Sequence, residues 1–159
     1  MKVIIPFSID ARMLEAVRVG LFHERIKPDC VLLKGDSDYY ELIKRLWGQG
    51  EEFVINEHDI VAWPGAIAKL EVCDSPWCTY SYRSSAGWIN DGLGLVKFNP
   101  SQLPNIFAQE FEVKHWSNLD VQIARRLQAN GVEACTHSPS VTNLNPLMWH
   151  TSTLKMIAA

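Results

Sequence analysis

Two acidic side chains directly after an apolar run are the first candidates for chemistry. Glu57 and Asp59 follow the run 53–55, with His58 between them. Alternate residues of an extended chain share a face, so both carboxylates can point at one site. Carboxylate oxygens suit a hard divalent cation, Mn²⁺ or Mg²⁺, that is shared with phosphate oxygens. The alternative is an acidic turn at a strand end, which is solvated or caps the next helix.

Two residues late in the chain could complete such a site. His137 lies just past the last predicted strand and could be a third metal ligand, or an ordinary structural or surface histidine. Asp120 lies in the first turn of a predicted helix, where the helix dipole favours a carboxylate. It could instead be a general base that takes a proton from an attacking hydroxyl.

Polar and aromatic residues elsewhere offer binding contacts. Asp36 and Asp38 belong to a Gly-Asp-Ser-Asp turn that also caps a predicted helix. If the cleft beyond the sheet binds a nucleotide, one of these aspartates is placed to contact its base or ribose. Several tryptophans either belong to the core, as is usual, or line a cleft in which a sugar stacks: Trp63, Trp77, Trp88 and Trp116.

The elements that position these residues alternate between strand and helix in the first third of the chain. Apolar runs at Val3–Ile5, Cys30–Leu33 and Phe53–Ile55 predict buried strands, with amphipathic helices between them. Short connections of this kind imply right-handed crossovers and a mostly parallel sheet. Ligands bind beyond the carboxyl ends of such strands. The polar segments 8–12, 34–38 and 56–59 follow the three strands, so they should converge.

The rest of the chain predicts further elements of one α/β domain, residues 1–159. A helix begins at Pro64, a strand covers Leu95–Phe98, and a helix capped by Asn118 ends at Asn130-Gly131. The stretch 73–94 suggests an irregular hairpin and a substrate-facing loop. A last strand is predicted at Val132–Cys135, and the tail from residue 136 has little periodicity. We expect a Rossmann-like, mostly parallel sheet flanked by helices.

The composition of the chain argues against several classes of protein. The chain has 159 residues and a net charge of −3, which disfavours a general nucleic-acid surface. Its apolar runs are far shorter than the roughly 20 residues of a membrane span, and its first residues are too short for a signal peptide. We therefore expect a cytoplasmic protein. The four cysteines form no Cys-x-x-Cys pair, which predicts reduced, buried thiols and disfavours a zinc ribbon.

Known catalytic motifs are missing from the sequence. It contains no P-loop, no GxGxxG, no GxSxG and no HExxH. Nothing in it supports a serine hydrolase, a kinase or a dinucleotide-dependent oxidoreductase.

In order and spacing, the elements resemble inverting glycosyltransferases of the A-type fold, the family-2 kind. The opening strand Val3–Pro6 is followed by Arg12, and Leu33–Asp38 is similar to the family's Asp-Gly-Ser-Thr-Asp element. Glu57-His58-Asp59 occupies the place of the metal-binding Asp-x-Asp. Later segments are similar to short, often phage- or prophage-encoded glycosyltransferase-like proteins: Pro76-Trp77-Cys78, Gly92–Phe98, Trp116–Asp120 and His137.

The resemblance implies a nucleotide-sugar donor, most often UDP-linked, and a role for each matching residue. Four residues would border the nucleoside: Pro6, Arg12, Asp36 and Asp38. Glu57, Asp59 and His137 would hold Mn²⁺ or Mg²⁺ against the diphosphate, and Asp120 would be the catalytic base. Glu57 departs from the family's first Asp by one methylene, and the short chain reduces the acceptor side, so the acceptor stays open. Two alternatives use the same cleft, a non-catalytic nucleotide- or glycan-binding module and a metal-assisted phosphohydrolase.

Overall fold

A computed structural model of the chain describes residues 1–8, 11–22, 25–84, 87–138 and 141–144. Its strands are β1 Lys2–Phe7, β2 Asp29–Leu32, β3 Phe53–Asn56, β4 Ile60–Ala62, β5 Trp77–Tyr80, β6 Tyr82–Ser84, β7 Gly87–Ile89, β8 Leu95–Phe98, β9 Cys135–His137 and β10 Val141–Asn143. Its helices are α1 Ala11–Phe22, α2 Asp38–Gln49, α3 Ala66–Glu71 and α4 Leu119–Ala129, with 3₁₀ turns at Pro100–Gln102 and Trp116–Asn118. No helix in these ranges is long and apolar enough to cross a membrane.

Six strands form the central sheet, in the order β2-β1-β3-β8-β5-β9. Five of them run parallel to one another, and β8 runs antiparallel between β3 and β5. Two small antiparallel pairs, β4 with β10 and β6 with β7, lie outside this sheet. The predicted α/β fold, a mostly parallel sheet flanked by helices, is confirmed.

The apolar side chains of the sheet form two layers because alternate residues of a strand point to opposite faces. One layer packs Ile4 and Ile55 against α2 and α4 through large side chains such as Trp47. The other packs Ile5 and Val54 against α1 and α3. Each fully buried side chain of this size contributes about 1.5–3 kcal/mol. Together the two apolar layers hold the strands in place, and the polar segments that follow the strands lie at the carboxyl edge of the sheet.

The end of the chain differs from the sequence prediction. We predicted the last strand at Val132–Cys135, but β9 covers Cys135–His137. Helix α4 is closed by a turn at Gly131, which has a φ of +76°. The following residues 132–134 carry the chain to the far edge of the sheet, so pairing begins three residues later than the apolar pattern suggests.

Strand β5 was expected to be part of an irregular hairpin, yet it lies inside the sheet. All four of its residues are buried, including the polar Thr79. The Thr79 hydroxyl lies 3.2 Å from the carbonyl oxygen of Gly92 and 3.3 Å from that of Leu95, so it can donate to either. These local acceptors allow a hydroxyl inside a buried strand, which apolar patterning does not indicate.

Candidate functional site

The turn that follows β3 is held rigidly at the carboxyl edge of the sheet. The Glu57 N–H donates to the carbonyl of Gly94 at 2.8 Å, and the Ile60 N–H donates to the carbonyl of Glu57 at 3.0 Å. The buried Asn56 amide donates to the carbonyls of Glu57 and Ile60 at 3.0 and 2.7 Å. Backbone and amide contacts therefore fix the turn.

The carboxyl group of Glu57 is surrounded by protein atoms, while the residue as a whole is partly exposed. Its Oε1 accepts a hydrogen bond from the Tyr39 hydroxyl at 3.0 Å, and Tyr39 is buried. Burial raises the pKa of Glu57 to about 8, and the negative charge of Asp59 adds to the rise. The Tyr39 hydrogen bond lowers this pKa and the charge of Asp120 raises it. At neutral pH the Glu57 carboxyl is therefore mostly protonated.

Asp120 lies in the first turn of α4, on the same side of the molecule. Burial raises its pKa, the hydrogen bond that its Oδ1 accepts from the Val121 N–H at 2.8 Å lowers it, and the charge of Asp91 raises it. The pKa of the Tyr82 hydroxyl is also raised, first by burial and then by the charges of Glu57, Asp120 and Asp59. These mutual effects show that the groups are neighbours. We call the set Glu57, Asp59, Asp91 and Asp120, with the hydroxyls of Tyr39 and Tyr82, the acidic edge.

The carboxylates of the acidic edge are the chemical type of ligand that a divalent cation takes. Burial is the main reason that Glu57 holds its proton, and the charges of Asp59 and Asp120 add to it, so positive charge placed among these groups is favoured. Carboxylate oxygens are hard ligands, which Mg²⁺ and Mn²⁺ prefer. Because a ligand must be ionised to bind a metal, cation binding would release the Glu57 proton.

The loop after β2 faces the same edge. Asp38 Oδ2 accepts hydrogen bonds from the N–H groups of Lys34 and Gly35, at 2.7 and 2.9 Å, and these bonds lower its pKa. Asp38 therefore closes this loop. The Asp36 carbonyl accepts a hydrogen bond from the Trp116 N–H at 3.2 Å, which ties the loop to the turn before α4.

The Asp36 carboxylate is exposed beside aromatic and imidazole groups. Its Oδ2 lies 3.8 Å from Nε2 of His115, and the neighbouring Trp116 is 59% exposed. Pro6 is buried near the end of β1, opposite Val31 of β2. The side chain of Arg12 lies outside the part of the chain that the structure describes. A flat ring could reach the Trp116 face next to Asp36.

His137 lies in a different group from Glu57 and Asp59. Its ring packs on Tyr80 with 5.3 Å between the ring centres, and Tyr80 belongs to the layer under α1 and α3. Glu57 instead contacts Tyr39, a member of the opposite layer. The reason is the parallel pairing of β9 with β5, which places His137 opposite Tyr80 at the sheet edge.

Several members of the site were not among the predicted residues. Tyr39, Tyr82 and Asp91 contribute hydroxyls or charge to the acidic edge. Tyr39 follows the Gly-Asp-Ser-Asp turn directly, so the polar turn was a signal for it. Asp91 also borders a shallow surface groove lined by Trp88, Ile89, Asn90, Asp91, Gln128, Glu133, Ala134 and Thr136.

The tryptophans divide between the core and the surface. Trp77 is 1% exposed and belongs to the core, as expected for tryptophan in a small domain. Trp63, Trp88 and Trp116 are all more than half exposed. Trp116 lies beside Asp36 and Trp88 lines the groove, so two aromatic faces flank the acidic edge.

Neither a family profile nor a curated protein matches the sequence. Solved structures share the fold. A protein assigned as a glucose-1-phosphate thymidylyltransferase from Bacillus anthracis matches with a TM-score of 0.62 and 9% identity, over 99% of this chain and 94% of that one. The inositol-1-phosphate CTP transferase from T. maritima matches with a TM-score of 0.55 and 11% identity, over 99% and 76%. HddC from Yersinia pseudotuberculosis matches with a TM-score of 0.53 and 13% identity, over 98% and 79%. The shared feature is the α/β fold, in agreement with the fold that the resemblance implied.

Proposed function

We propose that this protein transfers a glycosyl group from a UDP-linked sugar to an acceptor hydroxyl at the acidic edge. The observation that carries the proposal is the group of mutually repelling carboxyls at the carboxyl edge of a mostly parallel sheet. Ligands bind beyond this edge in sheets of this kind. A nucleoside diphosphate would need a cation to lie there, and the carboxyls supply its ligands.

The donor would lie along the sheet edge. Pro6, Arg12, Asp36 and Asp38 would border the nucleoside, with Asp38 acting through the loop that it closes. Trp116, exposed beside Asp36, offers a face on which the base can stack. Glu57 and Asp59 would hold Mn²⁺ or Mg²⁺. The predicted third ligand, His137, has no part in this proposal because it lies against Tyr80, in a separate group.

Asp120 is the proposed general base. Burial raises its pKa, which makes it a better proton acceptor than an ordinary aspartate. The acceptor oxygen loses its proton to Asp120 and bonds to the anomeric carbon, while the bond from that carbon to the diphosphate oxygen breaks. UDP leaves with the electron pair of the broken bond. A divalent cation, when bound, offsets the charge of the leaving diphosphate.

The groove beside Asp91 is the proposed acceptor site. It adjoins the acidic edge through Asp91, and the exposed Trp88 offers a face on which a sugar ring can stack. The polar lining of Asn90, Gln128 and Thr136 suits a hydroxylated acceptor.

Nucleotidyl transfer is the main rival because two structural neighbours are described by that activity. In that reaction a sugar phosphate attacks the nucleotide, and its phosphate is already ionised at neutral pH. A carboxylate base is then superfluous. The position of Asp120 beside Glu57 favours a neutral hydroxyl nucleophile, which needs such a base. A phosphohydrolase would break a phosphorus–oxygen bond, and a binding module would break none.

The test is product analysis with UDP-sugars and Mn²⁺, with water and simple glycosides offered as acceptors. We expect UDP and a glycosylated or free sugar as products. Asp120→Asn should lower the rate about 10²–10⁴-fold, the usual contribution of a general base. Glu112→Gln removes an exposed carboxylate elsewhere and is the matched control. UMP with sugar phosphate would contradict the proposal, as would pyrophosphate release from a nucleoside triphosphate and a sugar phosphate.

A further inference from the structure

Three cysteines and one histidine form a close group on the far side of the sheet from Tyr39. Among the described residues, the Sγ atoms of Cys73, Cys78 and Cys135 and a ring nitrogen of His137 all lie within 4.8 Å of one another. We propose that these four side chains hold a structural Zn²⁺ ion. The site uses no residue assigned to glycosyl transfer, so it is independent of the proposed function.

The fold brings the four ligands together from three segments. Cys78 of β5 lies opposite Cys135 of β9, and His137 shares a face with Cys135 because it is two residues further along the strand. Cys73 lies in the turn after α3, where its N–H donates to the Leu70 carbonyl at 3.2 Å. An ion here would join the sheet's short edge strand to the turn that precedes β5.

The distances suit a tetrahedral ion. With Zn–S bonds of about 2.3 Å, tetrahedral geometry separates two sulfur atoms by about 3.8 Å. Sulfur atoms that lie within 4.8 Å of one another would therefore have to move closer by about 1 Å at most to bind the ion. Rotamer adjustments of these side chains can supply that movement.

The imidazole of His137 has the properties of a metal ligand. Its Nε2 atom is buried and has no hydrogen-bond partner within the described part of the chain. A buried polar atom of this kind is costly unless something binds it. Burial lowers the pKa of His137, and the charges of Lys69 and Lys97 lower it further, which favours the neutral imidazole that metals bind.

Lys97 places a positive charge beside the four proposed ligands. It is 2% exposed, its Nζ donates to the Cys73 carbonyl at 2.5 Å, and it lies 3.5 Å from the Glu52 carboxylate. Its charge acts on all four proposed ligands. Zinc with three thiolates and a neutral imidazole carries a net charge of −1, and the Lys97 ammonium, which it shares with Glu52, offsets part of that charge.

The ligand set selects both the ion and its role. Thiolates favour Zn²⁺ over Mg²⁺ or Mn²⁺, which prefer oxygen. Four protein ligands fill a tetrahedral shell, and filled shells are typical of structural sites. A disulfide would use two of the sulfurs and leave the third thiol and His137 without a bond.

Cobalt titration of the reduced, tag-free protein tests the proposal. Tetrahedral Co²⁺ with thiolate ligands shows intense visible bands and sulfur-to-cobalt charge transfer. We expect one equivalent of Co²⁺ to give this spectrum, and one equivalent of Zn²⁺ to abolish it and raise the melting temperature.

Variants locate the ion. Cys135→Ser should weaken Co²⁺ binding more than about 100-fold, since even the loss of a residue that only hydrogen-bonds a ligand costs about 10–100-fold. Cys30→Ser, an exposed cysteine away from the group, should bind normally. If Cys135→Ser does not fold, the Co²⁺ titration of the wild type still shows whether thiolates bind the ion. The proposal is overturned if reduced wild-type protein gives no thiolate spectrum, or if Cys135→Ser and Cys78→Ser keep it. A disulfide among these cysteines in all molecules of freshly purified protein would also overturn it.

Discussion

Replacing Glu57 by glutamine should change how stability depends on pH. The folded carboxyl has a pKa of about 8, against 4.5 for an ordinary glutamate. Between these values the unfolded chain has released the proton while the folded chain still holds it, so rising pH favours unfolding. The wild type should therefore lose about 1.4 kcal/mol of stability per pH unit across this interval. The amide in Glu57→Gln does not titrate, and its oxygen can still accept the Tyr39 hydrogen bond.

The magnitude follows from the two pKa values. They differ by about 3.5, so the loss in the wild type approaches about 5 kcal/mol above pH 8. We expect the free energies of unfolding of variant and wild type to diverge steadily from pH 5 to pH 8, with the variant becoming the more stable.

Urea denaturation at several pH values, without Mn²⁺ or Mg²⁺, measures this difference. Groups away from the acidic edge titrate alike in both proteins and cancel, so the difference reports on Glu57 and the neighbours that its charge affects. Glu112→Gln should run parallel to the wild type. Parallel curves for Glu57→Gln as well would refute the reasoning, because they would mean that the Glu57 carboxyl is ionised in the folded protein.

Three further predictions concern the same edge. Mn²⁺ affinity should rise about tenfold from pH 6 to pH 7, because Glu57 must release its proton to bind the ion. Calorimetry at both pH values measures this, and a pH-independent affinity would contradict Glu57 as a metal ligand. Gly94→Ala should lower the free energy of unfolding by about 1–3 kcal/mol, because the new Cβ would lie 2.5 Å from Cε1 of Tyr82. The control Gly48→Ala, whose new Cβ would have no atom within 4 Å, should leave that free energy unchanged or raise it; urea denaturation measures both. Asp38→Ala should weaken UDP binding while leaving Mn²⁺ binding unchanged, because it removes the two hydrogen bonds that close the loop after β2; equal losses in both titrations would argue against a role on the nucleoside side.

The sheet and its polar edge could be predicted because local patterns determine them. Short apolar runs indicated where β1, β2 and β3 lie, but β1 continues through Pro6 to Phe7, and β2 is mostly exposed although a buried strand was predicted. Parallel strands bring their carboxyl ends to one edge, which is why a sequence pattern could place Glu57 near that edge. Local signals of this kind do not depend on distant pairing.

The cysteine and histidine group could not be predicted from spacing alone. It depends on the register between β5 and β9, two strands separated by most of the second half of the chain. The alternation of Cys135 and His137 on one strand was a visible hint, but the apolar pattern placed that strand three residues too early. The absence of a Cys-x-x-Cys pair excludes one kind of zinc site, and not a site that tertiary contacts assemble.

The acidic edge also depends on contacts between distant segments. The burial that raises the pKa of Glu57 depends on contacts with residues such as Tyr39, which comes from another element. A sequence shows that a carboxyl follows a strand, but the degree of its burial follows from packing. The chemistry of Glu57 therefore became visible only with the fold.

Calorimetric titration of UDP in the presence of Mn²⁺ tests the central claim most directly. The proposed Zn²⁺ site makes a chelator a poor control, so Asp59→Ala replaces it, with Glu112→Gln as the matched variant. The account predicts that wild type and Glu112→Gln bind UDP only when Mn²⁺ is present, and that Asp59→Ala does not bind it. Equal UDP binding by wild type and Asp59→Ala, or no binding of any nucleoside diphosphate by the wild type, would contradict it.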